Sequence, residues 1–150
     1  MEERVTPVDE EHFRKLERMY AAAPINEFFA PSLRVSEGLA EVSIGIRPEL
    51  FHSARALHGS VYFKALDDAA FFAVNSLVND VFVLTVSFTI YLVMPVTAGV
   101  VTAKGRVVHK SRSVMLAEAE LHDQTGRQVA RGSGSFMRSS IPLSAEIGYV

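Results

Sequence analysis

The side chains best suited to chemistry fall in one short stretch, His58-Gly59-Ser60 followed by Asp67 and Asp68. From His58 to Leu77 the chain is almost continuously apolar: Val61, Phe63, Ala65, Leu66, Ala69, Ala70, Phe71 and Phe72 leave no wide polar face. Such a segment predicts a helix buried on all sides. A carboxylate inside it must be protonated, be paired or serve a purpose, so Asp67 and Asp68 are candidates for a general base or a nucleophile. Local pairing is the other reading. Lys64 stands four residues before Asp68, a spacing that brings the two side chains together on a helix, and a strand hydroxyl could bond Asp67. Pairing accounts best for Asp68, and for Asp67 both readings stay open. Gly59 and Ser60 would occupy the first turn of the helix, where backbone N–H groups have no helical partner and the dipole presents partial positive charge. That end of a helix can hold a carbonyl oxygen that becomes negative during acyl transfer, and Gly59, lacking a side chain, lets a substrate come close. Gly-Ser is equally an ordinary helix start.

Helix geometry separates these two features. Nine residues from His58 to Asp67 at about 1.5 Å each span roughly 13 Å, so the Gly59 N–H and the Asp67 carboxylate of one chain cannot grip the same reacting carbonyl. A site that uses both must be shared by two subunits whose helices run past each other, which predicts a twofold dimer. The strand-like run Val81–Leu92 alternates so that Thr85, Ser87, Thr89 and Tyr91 share one face and Leu84, Val86, Phe88 and Ile90 the other. Hydroxyls on the first face could orient a water; for Ser87, Thr89 and Tyr91 solvent exposure is the simpler expectation. Of the five histidines, His12, His109 and His122 fall near surface or turn segments. His52 and His58 lack both the spacing of a helical zinc pair and a third ligand, so no metal is expected. Gly132-Ser133-Gly134-Ser135 lacks the spacing and the lysine of a phosphate loop; small residues there are expected to let the helix pack closely.

The elements that must hold these groups can be read along the chain. Asp9–Ala23 has Phe13, Leu16, Met19 and Tyr20 at helical spacing and is stopped by Pro24. Leu33–Val35 and Leu39–Ile46 flank Glu37-Gly38 as a hairpin. After the buried helix, strand signals follow at Val81–Leu92, Val100–Val108, Val114–Leu121 and Gln128–Met137, joined by short turns that imply antiparallel pairing. The plan is α+β, an antiparallel sheet of five or six strands wrapped around one long helix. One domain over 1–150 is expected, with an N-terminal helical segment at 1–30 and a weakly patterned C-terminal tail at 139–150.

A formal net charge of −2 with scattered basic residues offers nucleic acid no footprint, and the lack of cysteine removes thiolate nucleophiles and disulfides. The start Met1-Glu2-Glu3-Arg4 does not resemble a secretory signal, and the longest apolar run is shorter than the about 20 residues of a spanning helix. A cytoplasmic location without membrane partners is the expectation.

The run Leu57-His58-Gly59-Ser60-Val61-Tyr62-Phe63-Lys64-Ala65-Leu66-Asp67-Asp68-Ala69-Ala70 resembles the His-Gly-Gly…Asp signature of hotdog thioesterases of the phenylacetate-pathway (PaaI-like) type. The likeness continues through Thr85–Pro95, Gly99 and Asp123…Gly126…Val129-Ala130…Phe136. It implies a hotdog fold, a homodimer or a homotetramer built as a dimer of dimers, no cofactor, and hydrolysis of an acyl-CoA thioester. By position it makes Asp67 the base or nucleophile, Gly59 the N–H that polarises the carbonyl, and Thr85 a hydroxyl that orients water. His52 stands where relatives carry Asn or Gln as a second donor, and His58 is the signature histidine. Ser60 replaces the second glycine of the signature, beside the substrate. Lys110, Ser111 and Arg112 at a strand turn are candidates for the CoA phosphates, or a solvated hairpin turn. Phe63, Phe71, Phe72 and Met94 could line an acyl pocket or fill the core. A non-catalytic acyl-CoA binder on the same fold is the alternative, and a hydratase is a weaker one because its Asp/His dyad is not apparent.

Overall fold

The computed structural model describes residues 7–150, with side chains from Asp9 onward; Met1–Thr6, where the sequence was read for a signal and the N-terminal segment begins, lie outside the described residues. Helix α1 (Pro7–Ala22) buries Phe13, Leu16, Met19 and Tyr20, the side chains its periodicity had placed together. It ends ahead of Pro24, and a short helix α2 (Ile25–Phe29), which the sequence pattern does not announce, turns the chain toward the sheet.

Strands β1 (Ser32–Ser36) and β2 (Leu39–Gly45) form the expected hairpin. Gly38 closes it at φ +70°, a left-handed conformation that glycine adopts without a Cβ penalty. Helix α3 (Gly59–Asn75) follows, and then β3 (Val81–Leu92), β4 (Val100–Lys110), β5 (Met115–His122) and β6 (Gln128–Pro142). All six strands pair antiparallel in the order β1-β2-β4-β5-β6-β3, and the sheet curls around α3. Alternation does the positioning: Ala40, Val42 and Ile44 of β2 and Met115, Ala117, Ala119 and Leu121 of β5 point at the helix, while their neighbours face out. This is the α+β hotdog architecture expected, with six strands.

The helix lies close to the sheet because of one residue. A Cβ added at Gly105 in β4 would stand 2.4 Å from the backbone carbonyl carbon and oxygen of Ala69, so Gly105→Ala must push α3 off the sheet. We expect a loss of about 2 to 3 kcal/mol, seen as a melting temperature lower by several degrees. The glycines of Gly132-Ser133-Gly134-Ser135 serve a different neighbour from the one expected. A Cβ at Gly132 or Gly134 would collide with the Phe88 ring, at 2.6 and 2.4 Å, so they admit an aromatic ring of β3 and not the helix.

Two further expectations are corrected. The regular alternation of β3 breaks at a bulge between Thr85 and Ser87, where Val86 is the extra residue against β6. Before the bulge Val83 and Thr85 point inward; after it Phe88 and Ile90 do, while Ser87, Thr89 and Tyr91 are exposed. Thr85 therefore does not share a face with the other three hydroxyl side chains. At the C-terminus, β6 continues to Pro142 and a 3-10 turn covers Ala145–Ile147, so much of the segment read as a tail is built structure.

Candidate active site

The start of α3 is set by its cap. His58 is extended (φ −66°, ψ 144°), and its Nδ1 accepts from the Ser60 N–H at 3.0 Å and lies 2.8 Å from Ser60 Oγ. Both side chains are thereby committed to the helix start. The loop before it is held by Leu57 N–H donating to Val96 O and His58 N–H donating to Leu50 O. Gly59, the first helical residue, has an N–H without a partner among the described residues. It opens on a cavity of about 270 Å³ that His52, Tyr62, Leu92 and Met94 also line. His52 Nδ1 accepts the Ala54 N–H at 3.0 Å. The proton of the neutral ring therefore sits on Nε2, which is left as a donor.

Asp67 stands two turns further along α3. Thr85 Oγ1 donates to Asp67 Oδ1 at 2.9 Å, a pairing delivered by the end of the same helix. Asn75, fully buried, donates to Val78 O and Val81 O and accepts the Val83 N–H, so it fixes the first residues of β3 and with them the position of Thr85. Burial pushes the Asp67 carboxyl up to about 6; the Thr85 hydroxyl opposes this, the neighbouring Asp68 adds to it and Lys64 opposes it. A carbon NMR titration should find the Asp67 midpoint near 6. In Thr85→Val, which removes the donor to the charged form, it should move about one pH unit higher; a midpoint unchanged or lower would show that the hydroxyl does not stabilise the carboxylate.

Asp68 is taken up structurally, as its helical spacing suggested. Lys64 Nζ lies 2.8 Å from Asp68 Oδ2, and the Tyr20 hydroxyl donates to the same oxygen at 2.6 Å. The sequence pattern placed Tyr20 on the apolar side of α1 but not beside Asp68; it comes from another helix, and no local pattern relates the two. Asp67, Thr85, Lys64, Asp68 and Tyr20 all face a second cavity, of about 950 Å³.

One chain thus holds the two halves of the predicted constellation in separate cavities: Gly59 and His52 in the smaller, Asp67 and Thr85 in the larger. Lys110, Ser111 and Arg112 line neither. Ser111 closes its own turn through Val114, and Lys110 reaches the Leu77 carbonyl at 3.4 Å, beyond the C-terminal end of α3. Among the described residues no group of three or more His, Asp or Glu side chains could hold a metal ion, and no helix is long and apolar enough to cross a membrane.

Comparison with known proteins identifies the family and the fold. The model of the family described as the thioesterase superfamily matches residues 55–130, the span from the loop before α3 to the start of β6. A Saccharolobus solfataricus protein whose name calls it a candidate esterase is 24% identical over 127 residues, covering 85% of this chain and 87% of that one. The Escherichia coli PaaI protein of the phenylacetic acid degradation operon superposes with a TM-score of 0.82 at 21% identity, over 91% of this chain and 99% of that one. A Haemophilus influenzae thioesterase superposes at 0.73 with 12% identity, over 80% and 85%. With the family model matching just over half of its length and the hotdog fold shared with these structures, the chain belongs to the thioesterase superfamily.

Proposed function

We propose that the protein hydrolyses acyl-CoA thioesters at sites shared between two subunits. The observation that carries this reading is the Asp67 carboxyl, proton-hungry through burial and held by Thr85 on the wall of a large apolar cavity. A base that titrates near 6 is ionised at neutral pH and retains affinity for a proton. Asp67 takes a proton from a water that Thr85 orients, and the resulting hydroxide attacks the thioester carbonyl; direct attack by the carboxylate is the competing route, told apart by labelled oxygen appearing in Asp67. The developing oxyanion is held by the free Gly59 N–H and His52 Nε2–H of the partner subunit. Collapse breaks the C–S bond and expels the CoA thiolate, which takes up the proton held by Asp67, and leaves the free acid. In the isolated chain these donors and the base face different cavities, which is what a twofold arrangement would reconcile.

The test is release of free thiol from a panel of acyl-CoAs, with the rate rising as pH passes through about 6. Tight retention of acyl-CoA without thiol release would replace hydrolysis by binding or sensing. Solution mass should give a dimer or a dimer of dimers, and a monomer with full turnover would overturn the shared site.

A further inference from the structure

We propose that the group cleaved is a medium- to long-chain fatty acyl group, lodged in the large cavity beside Asp67, and that residues 145–150 set how much chain it accepts. This rests on the hydrolase reading for its catalytic consequence but not for its binding consequence. In the isolated chain, before a partner subunit brings its donors to the reacting carbonyl, the cavity measures about 950 Å³, at the upper end of the range for small-molecule sites and more than an acetyl or a single aromatic ring would fill. Its walls are Met19 and Tyr20 of α1, Phe71 and Phe72 of α3, Phe82 of β3 and Ile147.

The polar groups on these walls leave little for a ligand to read. Tyr20, Asp68 and Lys64 are bound to one another, Asp67 is bound to Thr85, and Asn26 Nδ2 donates to the Tyr20 carbonyl at 2.7 Å. Asn26 Oδ1 has no partner among the described residues but is sealed from solvent, so no ligand atom reaches it without displacing protein atoms. Glu146 is exposed. What remains is apolar surface, which rewards each buried methylene alike and distinguishes chains by length.

The C-terminal wall is fixed in place. His12 Nε2 lies 2.9 Å from the Asn75 carbonyl, which can only accept, so the imidazole proton is there and Nδ1 accepts from the Tyr149 hydroxyl at 2.8 Å. Arg18 Nε donates to the Val150 carbonyl at 2.6 Å. Just before these anchors Gly148 turns at φ +88°, where a Cβ would already touch Ala22 at 3.4 Å. The segment is pinned to α1, whose His12 in turn bonds the end of α3, and it holds Ile147 on the cavity wall.

The experiment compares acetyl-, hexanoyl-, decanoyl-, palmitoyl- and phenylacetyl-CoA with the native protein, Ile147→Trp and Ile147→Ala. For the native protein kcat/KM should climb by up to about fourfold per methylene until the cavity is full. Ile147→Trp should lower the decanoyl value at least tenfold more than it lowers the acetyl value, and Ile147→Ala should move the optimum toward longer chains. Equal rates for acetyl- and decanoyl-CoA, a preference for phenylacetyl-CoA, or a profile unmoved in both variants would overturn the proposal. Binding of the same panel to Asp67→Asn separates the two readings. Affinity that rises with chain length while native protein releases no thiol would sink hydrolysis and keep the cavity assignment; affinity independent of the acyl group would sink the assignment itself.

Discussion

Asp67→Asn is expected to lower kcat about a thousandfold while making the protein more stable at neutral pH. The activity loss follows from removing the group that accepts the proton, an effect worth between about 10² and 10⁴ in rate. The gain in stability follows from the same environment. Because burial holds the folded-state carboxyl at about 6, above its unfolded value, folding opposes ionisation. The stability this group contributes is complete below the unfolded carboxyl value and is lost as pH rises through about 6. Asparagine escapes that loss, so the difference should be largest above pH 6, on the order of 2 kcal/mol, and vanish in acid. Thermal melts of the two proteins across pH, run beside the thiol-release assay, check both halves. Substantial turnover by Asp67→Asn would remove it from the chemistry, and a lower melting temperature at neutral pH would show that the carboxylate is structural.

Gly59→Pro should cost about 10² to 10³ in kcat with little effect on folding. Proline has no N–H to offer an oxyanion, yet it is favoured at the first position of a helix. The preceding residue, His58, already has the extended φ −66°, ψ 144° that a following proline demands. A Cβ at Gly59 meets only Leu92 Cδ1, at 3.4 Å. The variant thus deletes a donor and leaves the helix start otherwise intact. Mixing it with Asp67→Asn tests the shared site directly. If the N–H and the carboxylate come from different subunits, each mixed dimer regains one intact site, and random exchange restores about a quarter of native activity. No recovery from verified mixed dimers would place both groups in one chain's own site.

Wherever a local period or a local spacing governs, the residues announce the structure in advance. The absence of a polar face marks α3 as central, the i,i+4 spacing of Lys64 and Asp68 becomes an ion pair, and Gly38 closes the first hairpin. Asp67 does bond a strand hydroxyl, Thr85, and this pairing and the candidate catalytic role describe the same contact. Helix length alone also foretold that Gly59 and Asp67 would not meet within one chain, since about 1.5 Å per residue leaves no freedom to bring them together.

What the sequence pattern could not supply are the contacts that depend on register between distant segments. The period of two in β3 is unbroken on paper, and only pairing with β6 forces the extra residue at Val86 that turns Thr85 inward and Ser87 outward. Glycine spacing says that something packs closely but not what, so Gly105 proves to receive the helix while Gly132 and Gly134 receive Phe88. Tyr20 reaches Asp68, and Tyr149 reaches His12, across stretches of chain that no window of local periodicity spans. The sequence by itself determined the buried helix, the acid within it and the unpartnered amide at its start, because each follows from periodicity over a few turns. The tertiary structure alone decided which face of β3 meets Asp67 and which distant residues close the cavity beside it, because those follow from how the strands and the two chain ends register against one another.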